Sequence, residues 1–318
     1  MAGTSYEILT FDALKGWAAD DHRAALDVFC KSAGRITDPY WQAACHLAPT
    51  CTDPRGFFEL YFCPVLITDG EEMLFTGYFE PELAGTRVAG AKYQYPVYAL
   101  PADLPPGTTR RRIEEETLLA GHELVWLADP VDAFFLHVQG SGLVRLPDGS
   151  VLRLGFAGKN GLPYSSVGKE MVARGIAAAD QVSADFIRDW VSQNPKAGRA
   201  LLWTNESYIF FREVTDLPAD AGPIGAMKQS VTAGRSIAVD PAFVPLGAPV
   251  WIEKQGVHPM NRLMVAQDTG SAIKGAQRAD IFFGTGDLAG VQSGRVKDTG
   301  RMITLLPIAV AERLSGRI

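Results

Sequence analysis

The chain has 318 residues, 47 % of them hydrophobic and 21 % charged, and carries a net charge of −6 at neutral pH. That length suggests about two domains with enough apolar chain for a substantial core, and the composition is that of an ordinary globular protein. The negative balance, with no basic run longer than the triplet at Arg110, disfavours a nucleic-acid groove, and no stretch approaches the roughly eighteen apolar residues of a transmembrane segment.

Residues 1–17 lack a basic start followed by an apolar run, so no signal peptide is read there, and Asp27-Val-Phe29 ahead of Cys30 does not read as a lipid-attachment site. Either the chain is a mature form or its export and anchoring follow another route. Three helical segments open the pattern. Ala25, Val28 and Phe29 share a face within Asp20 to Ala33, a second helix runs from Pro39 to His46, and Asp53-Pro54 supplies a cap and first turn for Phe57 to Phe62. All four cysteines (Cys30, Cys45, Cys51, Cys63) fall in this region without a C-x-x-C pair, which argues against zinc and against a dithiol redox centre. They read equally well as one or two disulfides or as buried reduced thiols.

Strands follow at Val65 to Ile67 and Met73 to Phe79, with Asp69-Gly70 turning between them. Thr76, Tyr78 and Glu80 alternate onto one face of the second. From Tyr95 to Ala157 the pattern stays β-rich around a polar helical interlude at Thr109 to Leu119. The run Phe134 to Val138 is read as strand, which makes His137 a wall residue and Gln139-Gly-Ser-Gly142 a strand-end loop. Leu143 to Leu146 and Val151 to Leu154 form the clearest hairpin. Ser165 or Ser166 caps Val167 to Arg174, Ser183 caps Ala184 to Ser192, and a further helix runs from Lys196 to Leu202. Short strands separated by Gly and Pro fill the rest, ending at Met302 to Leu306 and a small terminal helix. The pattern alone gives a β-rich α+β chain of two domains, with no boundary fixed.

Residues 262–286 (RLMVAQDTGSAIKGAQRADIFFGTG) carry the strongest chemical signal. The apolar run Leu263 to Ala266 leads to Asp268, a Gly-rich loop carries Lys274, and a second run, Ile281 to Phe283, begins at Asp280. Two acids at strand mouths make a candidate catalytic rim, although acids there are more commonly turn residues or caps. Asp268-Thr-Gly-Ser271 and Asp298-Thr-Gly300 spell the aspartic-protease motif, but a proton-sharing pair needs one carboxylate from each homologous lobe. The two strings are too near for separate lobes, Gln267 stands where an apolar residue is expected, and Arg301 follows the second string, so that reading is rejected. The histidines are scattered without metal-ligand spacing, no G-x-S-x-G occurs, and Gly284-Thr-Gly286 lacks a glycine at the dinucleotide spacing. Carboxylate chemistry with no metal and no cofactor remains.

With Ser236-Ile-Ala-Val-Asp240-Pro241 upstream, this stretch resembles the three-aspartate signature of the 3D domain found in the membrane-bound lytic murein transglycosylase A family. Phe75-Thr-Gly-Tyr-Phe-Glu-Pro81, Tyr95-Pro-Val-Tyr98, Glu123-Leu-Val-Trp126, Asp132-Ala-Phe-Phe-Leu-His-Val-Gln-Gly-Ser-Gly142, Phe156-Ala-Gly-Lys-Asn-Gly161 and Asn205-Glu-Ser-Tyr-Ile-Phe-Phe211 resemble that family in the same order. The resemblance covers residues 40 to 307 and is carried by many ordered motifs.

It implies a mainly β, α+β fold: a double-psi β-barrel formed by residues 1–80 with 216–318, a second β-rich domain inserted at 81–215, and a glycan groove where they meet. The implied activity is cleavage of the β-1,4 bond between N-acetylmuramic acid and N-acetylglucosamine without water, leaving a 1,6-anhydro end. In the family the third aspartate acts as acid and then base, and that position here is Asp280. Asp268 is the second, with an orienting, ionised role suggested by its polar neighbours, and Asp240 is expected to hold a turn. Apolar walls from Ala279, Ile281, Phe282 and Phe283 would raise the acid's pKa. Glycan contacts are expected from Thr76, Tyr78, Glu80, Gln139, Ser141, Asn160, Tyr164, Asn205, Ser207 and Lys274. On residues alone, several of these are equally turn or loop residues. The resemblance implies a periplasmic or envelope location, favours disulfides, and leaves a monomer working on peptidoglycan strands, with or without a cell-wall enzyme complex. A non-catalytic, expansin-like glycan binder and a hydrolytic glycosidase are the alternatives.

Overall fold

The computed structural model describes residues 3–314; the outer ends of the first expected domain, residues 1–2 and 315–318, lie outside the described residues. The chain divides into two compact units, one of Met1–Phe79, Ala219–Gly284 and Leu288–Ile318, the other of Glu80–Pro218 and Thr285–Asp287. The architecture is α+β with two sheets.

Three strands come first, β1 (Ser5–Ile8), β2 (Phe62–Thr68) and β3 (Leu74–Glu80). The next six are β4 (Glu82–Thr86), β5 (Tyr95–Tyr98), β6 (Glu123–Leu127), β7 (Gly142–Arg145), β8 (Val151–Lys159) and β9 (Ile209–Glu213). They pair only among themselves, in the order β5-β6-β4-β7-β8-β9. The last six are β10 (Ser236–Val239), β11 (Pro249–Lys254), β12 (Met260–Asp268), β13 (Arg278–Thr285), β14 (Lys297–Asp298) and β15 (Gly300–Pro307). These rejoin the first three in a nine-stranded sheet ordered β1-β2-β15-β11-β12-β10-β13-β3-β14.

In the first unit, helix ends are fixed by short acids. Asp21 accepts from Ala24 N at 3.0 Å to start α1 (His22–Ala33), and after α2 (Gln42–Leu47) Asp53 accepts from Gly56 N at 3.1 Å to start α3 (Pro54–Tyr61). The last helix stops one residue earlier than expected, because Phe62 already belongs to β2 and pairs with Pro307. Phe29, Phe58, Phe62, Phe75 and Trp251 are fully buried in this unit's core, each contributing roughly 1.5–3 kcal/mol of burial.

The four cysteines do not form disulfides. They are half-buried and pack against the same core, and burial pushes the Cys30 and Cys45 thiols up, toward the protonated form. They act as small apolar fillers.

In the second unit, α4 (Arg110–Glu115), α5 (Pro130–Gln139), α6 (Val167–Ala173), α7 (Ala184–Gln193) and α8 (Pro195–Leu202) flank the six-stranded sheet. The sequence reading of Phe134 to Val138 as strand is corrected: it is the middle of α5, started by Asp129 accepting from Val131 N at 2.7 Å and by Pro130, and closed by Gly140 at φ +78°. His137 therefore faces Arg110 from a helix and is no sheet-wall residue. Arg110 is almost fully buried; its guanidinium donates to Asn205 O, Ser207 O and His137 Nδ1 at 2.8, 2.5 and 2.9 Å and stacks on Phe134 and Tyr208. A guanidinium only donates, so His137 Nδ1 accepts and burial beside that cation holds the ring neutral.

Among the described residues, no helix is long and apolar enough to cross a membrane.

Candidate active site

The central strand β10 sets the register of both candidate acids. It pairs in parallel with β12, placing Ala238 beside Asp268 after a bulge, and antiparallel with β13, placing Ala238 beside Asp280. Two carboxylates twelve residues apart in sequence are thereby brought to one level across three strands. An Asp20 clamp fixes the start of β10 and its neighbour: its carboxylate accepts from Arg235 NH1 and NH2 at 2.8 and 3.1 Å and from Leu263 N at 2.9 Å.

Strand β3 follows β13 in the sheet and contributes the other half of the site. Thr76 Oγ1 donates to Asp280 Oδ1 at 2.5 Å, and Tyr78 Oη donates to Asp268 Oδ2 at 2.9 Å. Alternation along the strand explains why these two residues share a face. Gly77, between them, points the other way. A Cβ there would come within 2.7 Å of Phe283 and 2.8 Å of Ser293 Cα in α9 (Asp287–Ser293), so this position must lack a side chain.

The same alternation corrects the expected surroundings of Asp280. Ala279, Ile281 and Phe283 lie on the opposite face of β13, and only Phe282 shares the face of the acid, with its ring centroid 5.1 Å from that of Tyr78. Desolvation nonetheless pushes the Asp280 carboxyl up to about 6; Thr76 and the Arg278 guanidinium pull down against it, and Asp268 adds to the rise. Arg278, which donates to the carbonyls of Leu74 and Ala279, was not singled out from the sequence, although its position two residues before Asp280 puts it on the acid's face.

Asp268 is bound differently. Its Oδ1 accepts from Ala226 N and Thr269 N at 3.0 and 2.9 Å, and its Oδ2 takes the Tyr78 hydroxyl. Burial still pushes its pKa above the usual aspartate value, against those three donors, so burial opposes the ionised state expected from its neighbours. The loop carrying Ala226 approaches so closely that a Cβ on Gly225 would lie 2.7 Å from Gln267 O. Gln267 itself explains its polar identity: it accepts from Ser236 Oγ at 2.6 Å and donates to Val28 O and Ser32 Oγ of α1. No sequence signal pointed to the 225–227 loop.

The remaining candidates divide. Asp240 holds a turn, as expected, accepting from Ala242 N and Gly275 N, and Lys274 lies 3.5 Å from its carboxylate with its side chain exposed. Glu80 is fully buried; it accepts from Thr285 Oγ1 at 3.0 Å and faces Arg153 at 3.7 Å. Asn160 uses its whole amide internally, donating to Thr108 O and Glu206 O and accepting from Tyr208 N and Leu162 N. Asn205 Oδ1 accepts from Ser165 N and Ser207 N, and Asn205 and Ser207 are both buried. Gln139 and Ser141 sit at the C-terminal end of α5 around Gly140, a helix end where a strand-end loop was expected. Tyr164 is half-buried ahead of α6. The structure thus brings Thr76, Tyr78, Asp268 and Asp280 together and gives Glu80, Asn160 and Asn205 internal hydrogen-bonding duties. Among the described residues no cluster of His, Cys, Asp and Glu has the arrangement of a metal site.

Comparison with known proteins gives a consistent picture. Residues 74–212 match the MltA specific insert domain and residues 235–306 match the 3D domain. A curated relative from Vibrio cholerae, membrane-bound lytic murein transglycosylase A, is 34 % identical over 72 % of this chain and 64 % of its own length. The chain therefore spans just under two thirds of that relative. The crystal structure of a membrane-bound lytic murein transglycosylase from Agrobacterium tumefaciens superposes with a TM-score of 0.88 at 31 % identity, covering 98 % of this chain and 99 % of that one. The Escherichia coli MltA solved with bound chitohexaose gives a TM-score of 0.75 at 27 % identity over 90 % of this chain and 89 % of that one. With two domain matches in the same order and a 31 % identical structure covered almost end to end, this chain belongs to the membrane-bound lytic murein transglycosylase A family.

Proposed function

We propose that the chain is a lytic transglycosylase that cleaves the N-acetylmuramyl–β-1,4–N-acetylglucosamine bond of peptidoglycan, with Asp280 as its single acid and base. The observation that carries this reading is a desolvated carboxyl held by a 2.5 Å hydrogen bond from Thr76 and raised to about 6, so that a large fraction keeps its proton in mildly acidic solution. As the C1–O bond breaks, Asp280 gives its proton to the departing oxygen. The C6 hydroxyl oxygen of the same muramyl residue then bonds to C1, and its proton goes to the Asp280 carboxylate. The enzyme returns to its starting state and no water is consumed. The nucleophile is tethered to the reacting carbon, which supplies the effective concentration that a second enzyme group would otherwise provide.

Asp268 supports this reading over hydrolysis by two carboxylates. Both of its oxygens are already engaged, by Tyr78 on one side and by two backbone amides on the other, which suits an orienting charge better than a base for water. Glycan contacts are proposed for Thr76, Tyr78, Gln139, Ser141, Tyr164 and Lys274, and for Glu80, Asn160, Asn205 and Ser207 through the loops they hold. The domain limits proposed are 1–80 with 216–318 and 81–215, with the first closed as a double-psi barrel. A periplasmic monomer acting alone or within a cell-wall complex is the setting proposed.

Mass spectrometry of digested sacculi tests the reaction. The expected products end in 1,6-anhydro-N-acetylmuramic acid, lighter by one water than reducing ends; reducing ends would show a hydrolase, and no products an expansin-like binder. Asp280→Asn is expected to abolish turnover while glycan binding survives, and near wild-type turnover in that variant would end the assignment.

A further inference from the structure

A cavity lies in the first unit, lined in part by the loop whose Ala226 amide holds Asp268. It has a volume of about 520 Å³, within the range of small-ligand pockets. Its floor is apolar, with Trp41, Leu246 and Leu306, and Val310 of the terminal helix α10 (Ile308–Leu314) among the lining residues. Its rim carries Arg35 and Lys228, both exposed, and one acid, Asp38, whose carboxylate accepts from Tyr40 N.

One wall is the segment Ala226–Lys228. Ala226 N donates to Asp268 Oδ1 at 3.0 Å and Met227 N donates to Gln267 O at 3.2 Å, so the cavity wall and the acid's hydrogen-bond shell are the same few residues. Lys228 sits at φ +56°, one of two non-glycine residues in left-handed backbone among the described residues. That turn is closed by Lys228 N donating to Gly225 O and Gly225 N donating to Gln229 O. Gly or Asn would take this conformation at lower cost. With its amide oriented to accept, Gln229 receives Arg35 Nε at 2.7 Å and NH2 at 3.2 Å, which ties the second cation to the same loop.

We infer that this cavity binds the carboxylate-bearing stem peptide attached to the muramyl residue of the glycan, and that its occupation steadies the Asp268 loop. The inference rests on the peptidoglycan reading above. Two cations at the mouth of an apolar hollow suit a short peptide with free carboxylates and aliphatic side chains, and such a peptide is carried by the same sugar whose bond is cleaved.

The test compares two substrates, peptide-bearing glycan strands and the same strands stripped of peptide by an amidase, with wild-type protein, Arg35→Gln and Lys228→Asn. Asn keeps the left-handed turn and removes the charge. Wild type is expected to show kcat/KM about tenfold higher on peptide-bearing strands, the worth of one charge-assisted contact, and in each variant the ratio of the two rates is expected to fall toward one. Free L-Ala-D-Glu-diaminopimelate-D-Ala should raise the wild-type Tm and not that of a variant carrying both Arg35→Gln and Lys228→Asn. Equal rates on both substrates, an equal loss on both in the variants, or binding to anionic vesicles in place of the tetrapeptide would overturn the inference. Absence of anhydro products from either substrate would instead defeat the transglycosylase reading.

Discussion

At the scale of single residues, the proposed reaction turns on a carboxyl whose burial makes its proton harder to lose. Asp280 is raised by burial to about 6 against an ordinary value of 3.8. A group whose native pKa is raised favours the folded state fully below its unfolded pKa and loses that contribution as pH climbs through the native value. The rise of about two pH units corresponds to roughly 3 kcal/mol at most. Asp280→Asn should therefore raise the urea-unfolding free energy by up to about 3 kcal/mol at pH 8, with the gain vanishing below about pH 4; an equal gain at both pH values would contradict it. Wild-type turnover should fall as pH rises through about 6, as the acid loses its proton. Tyr78 belongs to the same scale. Tyr78→Phe strips a donor from Asp268, a loss of about 1–3 kcal/mol. It should make Asp268 easier to protonate, weaken its push on Asp280, and move the alkaline limb of the turnover profile to lower pH. An unmoved limb would show that the phenol has no part in tuning the acid.

Secondary-structure elements deliver those side chains through alternation and register. In β3 the order Thr76, Gly77, Tyr78 puts two donors on the acid face and a hydrogen atom on the other, where Phe283 and Ser293 already fill the space. Gly77→Ala should destabilise the protein by about 1–3 kcal/mol and lower turnover, because the backbone contact at Ser293 Cα cannot rotate away; urea unfolding would check the first and a glycan assay the second. The helices were largely legible from their caps: Asp53 and Ser183 accept the expected hydrogen bonds, Ser166 is the one of the two offered serines that does so, and the first helix is capped by Asp21, one residue after its expected start. The instructive miss is α5. Phe-Phe-Leu-His-Val reads as strand by hydrophobicity, yet Asp129-Pro130 ahead of it and Gly140 behind it are the start and stop of a helix. Local capping chemistry outranked the apolar run.

Across the whole molecule, buried charge pairs mark where distant segments are pinned. Lys254 Nζ donates to Asp298 Oδ2 at 2.5 Å with both side chains almost wholly buried. This accounts for the second Asp-Thr-Gly string as a structural turn: its aspartate faces a lysine of β11. Lys254→Met should cost about 3–5 kcal/mol by leaving Asp298 unpaired, and Lys254→Met with Asp298→Leu should recover most of it. A double variant no more stable than the single one would show that the pair is not what holds these segments.

The sequence by itself determined the element types that have local causes, namely the capped helices, the 143–154 hairpin and the order of family motifs, and it named Asp268 and Asp280 as candidates. These depend on neighbours a few residues away and survive reading in one dimension. Only the tertiary structure decided that Ala238 stands between Asp268 and Asp280, that Thr76 and Tyr78 each serve one of them, and that Ala226 supplies a backbone donor. It also turned Glu80, Asn160 and Asn205 inward and left the cysteines unjoined. Strand register and burial are set by partners 40 to 200 residues away in sequence, and desolvation, which makes an aspartate an acid, is a property of the packed interior rather than of the residue.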